Sequence, residues 1–324
     1  MKAIERIVAA LLLLSTAGHA AAQTSYPDQA VRILVGFTPG VAPDIVSRVL
    51  ADKFSESWGR PVLVENVTGA GGNIACDRVA KAAPDGYTLV MCGNSSLVVA
   101  PSLYDKLPYD PVKDLAPISR VFVAANILAL HPDVPAKTLS EFVTLARQQP
   151  GKLTYGHAGT GTSQHLAAEL FKYMAHIDLQ PVAYRGTTAV LPDLLAGRLT
   201  LSFANISNAL PLVREGKLRG FAVTSIKRSG AAPDLPTMAE SGFPGFEAVP
   251  WFGLMAPAGT PPAILAKIHG ETVRVLAMPD VKKRLAELGL DLIGGSPAEF
   301  AAVIESETPQ WAKIIKAAGI RASE

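Results

Sequence analysis

Apolar positions recur along this chain with two different periods, and their alternation sketches the fold. Val31–Val35, Val62–Glu65 and Thr88–Met91 are short Val/Leu-rich runs, whereas Ile45–Trp58 and Ile74–Ala82 between them carry apolar residues at helical spacing. Strands separated by helical segments predict a parallel sheet covered on both faces. Pro101–Pro117 reads as an irregular connection, and Val121–Leu130 as a long apolar strand that crosses to a second lobe. A second series follows, with helices over Ser140–Gln148, Leu166–Met174, Ala189–Ala196 and Ala209–Arg214. Its strands are Leu153–Tyr155, Gln180–Tyr184, Leu199–Phe203 and Leu218–Thr224. After the loop-like Lys227–Pro250, Trp251–Ala256 reads as a strand returning to the first lobe. Three helical segments close the chain (Pro262–Ala277, Asp280–Leu288, Pro297–Ala318), with Pro309 expected to kink or break the last. A chain that leaves one α/β lobe, builds another and returns makes a cleft, and ligands sit at the C-terminal strand ends of such sheets.

Two loops of nearly the same design fall at those strand ends. One is Gly36-Phe37-Thr38-Pro39-Gly40-Val41-Ala42-Pro43-Asp44; the other is Gly156-His157-Ala158-Gly159-Thr160-Gly161-Thr162-Ser163-Gln164-His165. A glycine-rich strand-to-helix turn points free backbone N–H groups outward at the positive end of a helix dipole, which suits an anion. Neither loop holds Lys or Arg, so neutral donors must hold any anion there.

The N-terminus carries its own pattern. Lys2 and Arg6 precede the apolar core Ile7–Leu14, which is too short to span a bilayer and ends in small residues with candidate cleavage after Ala20 or Ala22. Residues 1–22 therefore read as a signal peptide. The 324 residues suffice for two domains, and a charged fraction of 18% with net charge +2 leaves no electrostatic footprint for nucleic acid. The His and Cys residues show no spacing suited to a metal, and Gly69–Gly72 lacks the pattern of a dinucleotide loop, so no cofactor is expected. Export makes a Cys76–Cys92 disulfide possible: one cysteine opens a helix and the other ends the next strand, at the same sheet edge in a βαβ unit. Two buried free thiols are the alternative.

Individual residues admit rival roles. Asp44 either orients ligand or complements the helix dipole. Ser163 and His165 invite a nucleophile–base reading, but no orienting carboxylate or Gly-x-Ser-x-Gly elbow accompanies them. His157 needs no role beyond a surface imidazole. Arg185 either pairs with a ligand carboxylate or lies in solvent, and Trp251 either lines the cleft or packs in the core.

Taken in order, further motifs resemble one family along essentially the whole mature chain. Tyr26-Pro27 and the first loop are followed by Val64-Glu65-Asn66 with Gly69-Ala70-Gly71-Gly72, then Pro84-Asp85-Gly86-Tyr87 and Leu107-Pro108-Tyr109-Asp110-Pro111. Gly159-Thr160-Gly161, Tyr184-Arg185-Gly186, Arg219-Gly220-Phe221-Ala222 and Ala256-Pro257-Ala258-Gly259-Thr260-Pro261 complete the set. Together they resemble the periplasmic receptors of tripartite tricarboxylate transporters, the Bug family. The resemblance implies a type II, Venus-flytrap periplasmic-binding-protein fold, each lobe a mostly parallel sheet flanked by helices. Residues 23–126 plus 252–324 would form lobe 1 and residues 127–251 lobe 2. It further implies a monomer in the periplasm that binds a small carboxylate without catalysis and delivers it to the membrane components of a transporter. An exported serine hydrolase and a sensor for a signalling partner are the rivals. Ligand contacts are implied for Phe37, Thr38, Pro39, Gly40, Val41, Ala42 and Asp44. The second loop contributes Gly159, Thr160, Gly161, Thr162 and Ser163, and the following turn Tyr184, Arg185, Gly186 and Thr187. Two departures bear on the ligand: Val41 stands where the family usually has a second glycine, and Phe203-Ala204-Asn205 stands where it often has an Asp. Asn205 is therefore added to the contacts.

Overall fold

The computed structural model describes residues 26–320, so the signal-peptide reading of residues 1–22 lies outside the described residues. The first lobe opens with β1 (Val31–Val35), α1 (Ala42–Trp58), β2 (Val62–Asn66), α2 (Asn73–Ala80) and β3 (Thr88–Gly93). A π-turn over Ser95–Val99 runs into the short helix α3 (Ala100–Leu103). β4 (Leu115–Ala124) and β5 (Asn126–Leu130) then carry the chain across. The continuous apolar stretch expected over Val121–Leu130 is thus two strands in two sheets, divided at Ala125. Periodicity could not show the division, because every residue of this run but the half-buried Val123 is buried.

The second lobe continues with α4 (Leu139–Gln148), β6 (Thr154–His157), α5 (Ser163–Ala175), β7 (Gln180–Ala183) and α6 (Val190–Leu195). It ends with β8 (Leu201–Asn205), α7 (Ile206–Arg214) and β9 (Arg219–Val223). β10 (Trp251–Pro257) returns to the first sheet, followed by α8 (Pro262–Ala277), α9 (Pro279–Glu287), β11 (Leu290–Leu292) and α10 (Pro297–Ala318). Pro309 does not end α10: the helix runs through it. Pro309 is exposed, so the carbonyl it leaves unpaired can face water.

Two sheets result, ordered β11-β4-β10-β3-β1-β2 and β7-β6-β8-β5-β9. Both are mixed. β1 pairs in parallel with β2 and β3, and β6 with β7 and β8, but the strands that enter from the other lobe, β5 and β10, pair antiparallel to their neighbours. A strand arriving from outside the lobe has no βαβ crossover to impose parallel direction. Apolar clusters fill both faces of each sheet. One residue crosses between them: Leu166 of α5, in the second lobe, is buried in the first-lobe cluster that holds Leu97, Leu103 and Trp311. Such burial contributes roughly 1.5–3 kcal/mol, and only while the lobes are together. Cys76 and Cys92 are joined by a disulfide, Cα–Cα 6.4 Å, which ties α2 to β3 behind the first-lobe end of the cleft.

Candidate functional site

A narrow cleft opens where β1, β3, β6 and β8 end and α1 and α5 begin. From the first loop it is lined by Phe37, Val41 and Pro43; from the second by Ala158, Thr162, Ser163 and Gln164. Thr187 and Asn205 close the second-lobe side. Among the described residues, no Asp, Glu, His, Lys or Arg lines it. An anion in this cleft meets only neutral donors, and a cation meets no counter-charge.

What the cleft offers instead is helix termini. The seventeen-residue α1 begins after Val41 and the thirteen-residue α5 after Thr162, and neither receives a side-chain cap. The first-turn amides of Ser163, Gln164 and His165 have no acceptor among the described residues, nor do those of Val41 and Ala42. Unpaired first-turn N–H groups at a helix start carry the positive end of the macrodipole and are a natural seat for a carboxylate.

The polar side chains are arranged by one another. Gln164 Oε1 accepts from the Ala158 amide at 2.9 Å, while its Nε2 donates to Asn205 Oδ1 at 2.7 Å and to Thr187 Oγ1 at 3.4 Å. Gln164 therefore sets the orientation of the Asn205 amide and leaves its Nδ2 group without a partner among the described residues. Thr162 Oγ1 donates to the Gly159 carbonyl at 2.7 Å and holds the second loop closed.

Several implied contacts lie beside the cleft and support it. Asp44 is buried, and its carboxylate accepts from the Gly40 amide at 2.9 Å, from Asn66 Nδ2 at 2.9 Å and from Arg48 Nη2 at 2.9 Å. Burial would raise its pKa, but the Arg48, Gly40 and Asn66 hydrogen bonds outweigh it and hold the carboxyl below the ordinary range. Asp44 thus braces the Thr38–Val41 loop from behind, and Ala42 is buried beneath it. Tyr184 donates to Asp193 Oδ2 at 2.6 Å, away from the cleft, and burial together with that carboxylate pushes its pKa up to about 12. Arg185, Pro39 and Gly40 are exposed. Gly159 and Thr160 form the crest of the second loop.

Gly161 and Gly186 instead mark where the lobes meet. Gly161 has φ +78°, and a Cβ there would come within 2.4 Å of Leu103 Cδ2 in the first lobe. Gly186 has φ +98°, and its Cβ would come within 2.9 Å of Thr38 Cγ2. Each needs glycine twice over, for the left-handed backbone and for the approach of the opposite lobe.

The imidazoles sit behind the second loop. His157 is buried, 2% exposed, and is not the surface imidazole expected from the sequence. Its Nδ1 accepts from the Gly159 amide, that of His165 accepts from the Gly161 amide, both at 3.2 Å, and the rings lie 4.5 Å apart. Burial first, then the neighbouring His157 and Lys172, push His165 down to about 3; burial also lowers His157. Two neutral imidazoles thus act as acceptors that set the loop's shape. Among the described residues, Ser163 and His165 make no hydrogen bond to each other. Trp251 packs edge-on to Phe300 and donates its indole N–H to Glu307 at 2.8 Å, so it belongs to the core.

Sequence reasoning missed one entire edge of the cleft. Asn94 and Ser95, after β3, and Pro250 and Phe252, at the return crossover, all line it. The first pair had a local signal, because Cys92-Gly93-Asn94-Ser95 is also a glycine-bearing turn out of a strand. Phe252 had none; only the return of β10 beside β3 brings it to the cleft.

Comparisons with known proteins follow the same outline. Residues 46–320 match the model for the tripartite tricarboxylate transporter family receptor. Protein BugT of Bordetella pertussis is 34% identical over 313 residues, covering 96% of either chain. The structure described as R. palustris Rpa4515 with adipate superposes with a TM-score of 0.88 at 34% identity, covering 92% of this chain and 100% of that one. MatC from Rhodopseudomonas palustris with bound malate gives 0.84 at 33% identity, covering 90% of this chain and 100% of that one.

Proposed function

The chain belongs to the tripartite tricarboxylate transporter receptor family, and from that membership we propose that it captures a small organic acid between its lobes and passes it to a membrane transporter. The observation that carries the reading is a charge-free cleft onto which two uncapped helix N-termini open from opposite lobes. Fixed amide dipoles in a water-poor cleft stabilise a carboxylate without the desolvation cost of a buried Lys or Arg. Adipate and malate, named for two structural relatives, belong to the same chemical class. In this reading the lobes exchange at Ala125 and Pro250, one residue from the expected bounds at each crossover: residues 26–125 plus 251–320 form the first and 126–250 the second, hinged where β4 passes into β5 and where Pro250 leads into β10.

Contacts are assigned to Phe37, Val41, Thr162, Ser163, Thr187 and Asn205, all in the cleft wall. Gly161 and Gly186 let the lobes close, and Asp44 acts as a brace. The receptor works as an exported, periplasmic monomer. Its mechanism is a population shift: a ligand touching both lobes favours the closed state through contacts that exist only there. Catalysis has no part in it. His165 Nδ1 is occupied by the Gly161 amide, and an imidazole with a pKa of about 3 is a poor proton acceptor at neutral pH.

The test is a thermal-shift panel of carboxylates, sugars and cationic amines, run beside a product assay on esters and amides of the best acid. At 100 times Kd, an acid should add about 2.7 kcal/mol of apparent stability by mass action, with no product formed. A response to sugars and none to acids would overturn the reading, as would ester turnover lost in His165→Ala.

A further inference from the structure

The two walls of the cleft differ in what they have left to give. On the second-lobe wall, Asn205 is 8% exposed and its Oδ1 is taken by Gln164, while its Nδ2 donates to no group among the described residues. Beside it stand the Ser163 hydroxyl and the three unpaired first-turn amides of α5, so several donors converge at one place. The first-lobe wall is largely apolar. Phe37 meets Phe252 edge-on at 5.3 Å, and Val41 continues that surface. Pro43 removes an amide from the first turn of α1. Its polar neighbours are partly taken: Ser95 Oγ donates to the Gly71 carbonyl at 2.8 Å, and Asn94 Nδ2 gives one of its two hydrogens to the Val249 carbonyl at 3.2 Å. What remains on this side is scattered, namely the Phe37, Val41 and Ala42 amides, one Asn94 Nδ2 hydrogen and the Thr38 hydroxyl, with no buried side-chain amide beside a helix start to gather them as Asn205 does.

Resting on the carboxylate-receptor reading above, we infer that the ligand is a monocarboxylate with an apolar body, a short aliphatic chain or one ring. Its carboxylate lies on Asn205 and the α5 N-terminus, and its hydrocarbon lies against Phe37, Val41 and Phe252. A second carboxylate would lose its water against an apolar wall with few donors to replace it. An ammonium group would find no carboxylate among the described residues of the lining. Both losses are those of an ion desolvated without a partner.

Calorimetric titration of the mature protein with two matched series tests the inference. Hexanoate, adipate and 6-aminohexanoate differ only at the far end of the chain, and benzoate and terephthalate only by the second carboxylate. Hexanoate and benzoate should bind tighter than their dianionic and zwitterionic counterparts by about tenfold or more. Adipate and terephthalate binding tighter would overturn the inference and leave the carboxylate-receptor reading standing. No binding by any of the five acids would overturn both.

Two variants test the walls separately. Pro43→Ala returns an amide to the α1 terminus and should raise the adipate-to-hexanoate affinity ratio; an unchanged ratio would count against the apolar-wall argument. Asn205→Asp keeps the bond from Gln164 but sets a negative charge where the carboxylate lies. It should abolish acid binding at neutral pH while the melting temperature without ligand is kept. Undiminished hexanoate binding by that variant would overturn the placement.

Discussion

Replacing Gly161 by alanine separates the two reasons for a glycine in the second loop. The first is conformational: at φ +78° a Cβ costs about 1–2 kcal/mol, whether the cleft is open or closed. That cost lowers the melting temperature and cancels from the binding equilibrium. The second is steric and belongs to the closed state alone. The new Cβ would stand 2.4 Å from Leu103 Cδ2 and 3.5 Å from Val99 Cγ1, both on the opposite lobe. The Leu103 methyl can shift part of the way, so an overpacking cost of about 1–3 kcal/mol is expected. Carried only by the closed form, it weakens acid binding by about fivefold to 150-fold. Isothermal titration of the parent, Gly161→Ala, Leu103→Ala and the double variant measures the coupling directly. The double variant should recover most of the affinity lost in Gly161→Ala, because Leu103→Ala removes the obstructing methyl. Parent-like affinity in Gly161→Ala, with only the melting temperature lowered, would refute the closure argument and leave Gly161 as a turn residue.

Three further outcomes are expected. His165, held near pKa 3 when folded and close to 6.5 when unfolded, binds more protons in the unfolded chain between those values, so stability should fall as pH drops below about 6.5, by up to roughly 1.4 kcal/mol per pH unit; melts at pH 5 and pH 7 should show this slope flattened in His165→Asn. Asp44→Ala should cost about 1.5–3 kcal/mol in urea unfolding, the scale of hydrogen bonds to a charged group, with acid affinity reduced as the first loop loosens; the Asp44 contribution is present above about pH 4 and fades as the carboxylate protonates below it. Reduction of Cys76–Cys92, which spans 16 residues, should lower stability by about 3 kcal/mol, checked by melts with and without dithiothreitol; free thiols titrated in the oxidised, denatured protein would contradict the bond itself.

Local sequence decided the vocabulary of this protein. Short Val/Leu runs alternating with helical spacing were enough for the strands and helices of two α/β units. Glycine-rich turns after Val35 and His157 marked both helix N-termini that open on the cleft. Those features are legible because backbone conformation at a turn depends on a few adjacent residues. Which side chains reach the cleft is a different kind of fact. Asp44 and Tyr184 lie in the right loops yet are spent on Gly40, Asn66 and Asp193, while Arg185 is turned to solvent. Asn94 and Phe252 reach the cleft only because β10 returns beside β3 from more than a hundred residues away. The Asn205 amide is set by Gln164, 41 residues earlier, whose own orientation comes from the Ala158 amide. The long run Val121–Leu130 divides between two sheets because each half finds its partners in a different lobe. Such choices depend on hydrogen-bond partners and packing brought together from distant parts of the chain, and only the folded protein contains them.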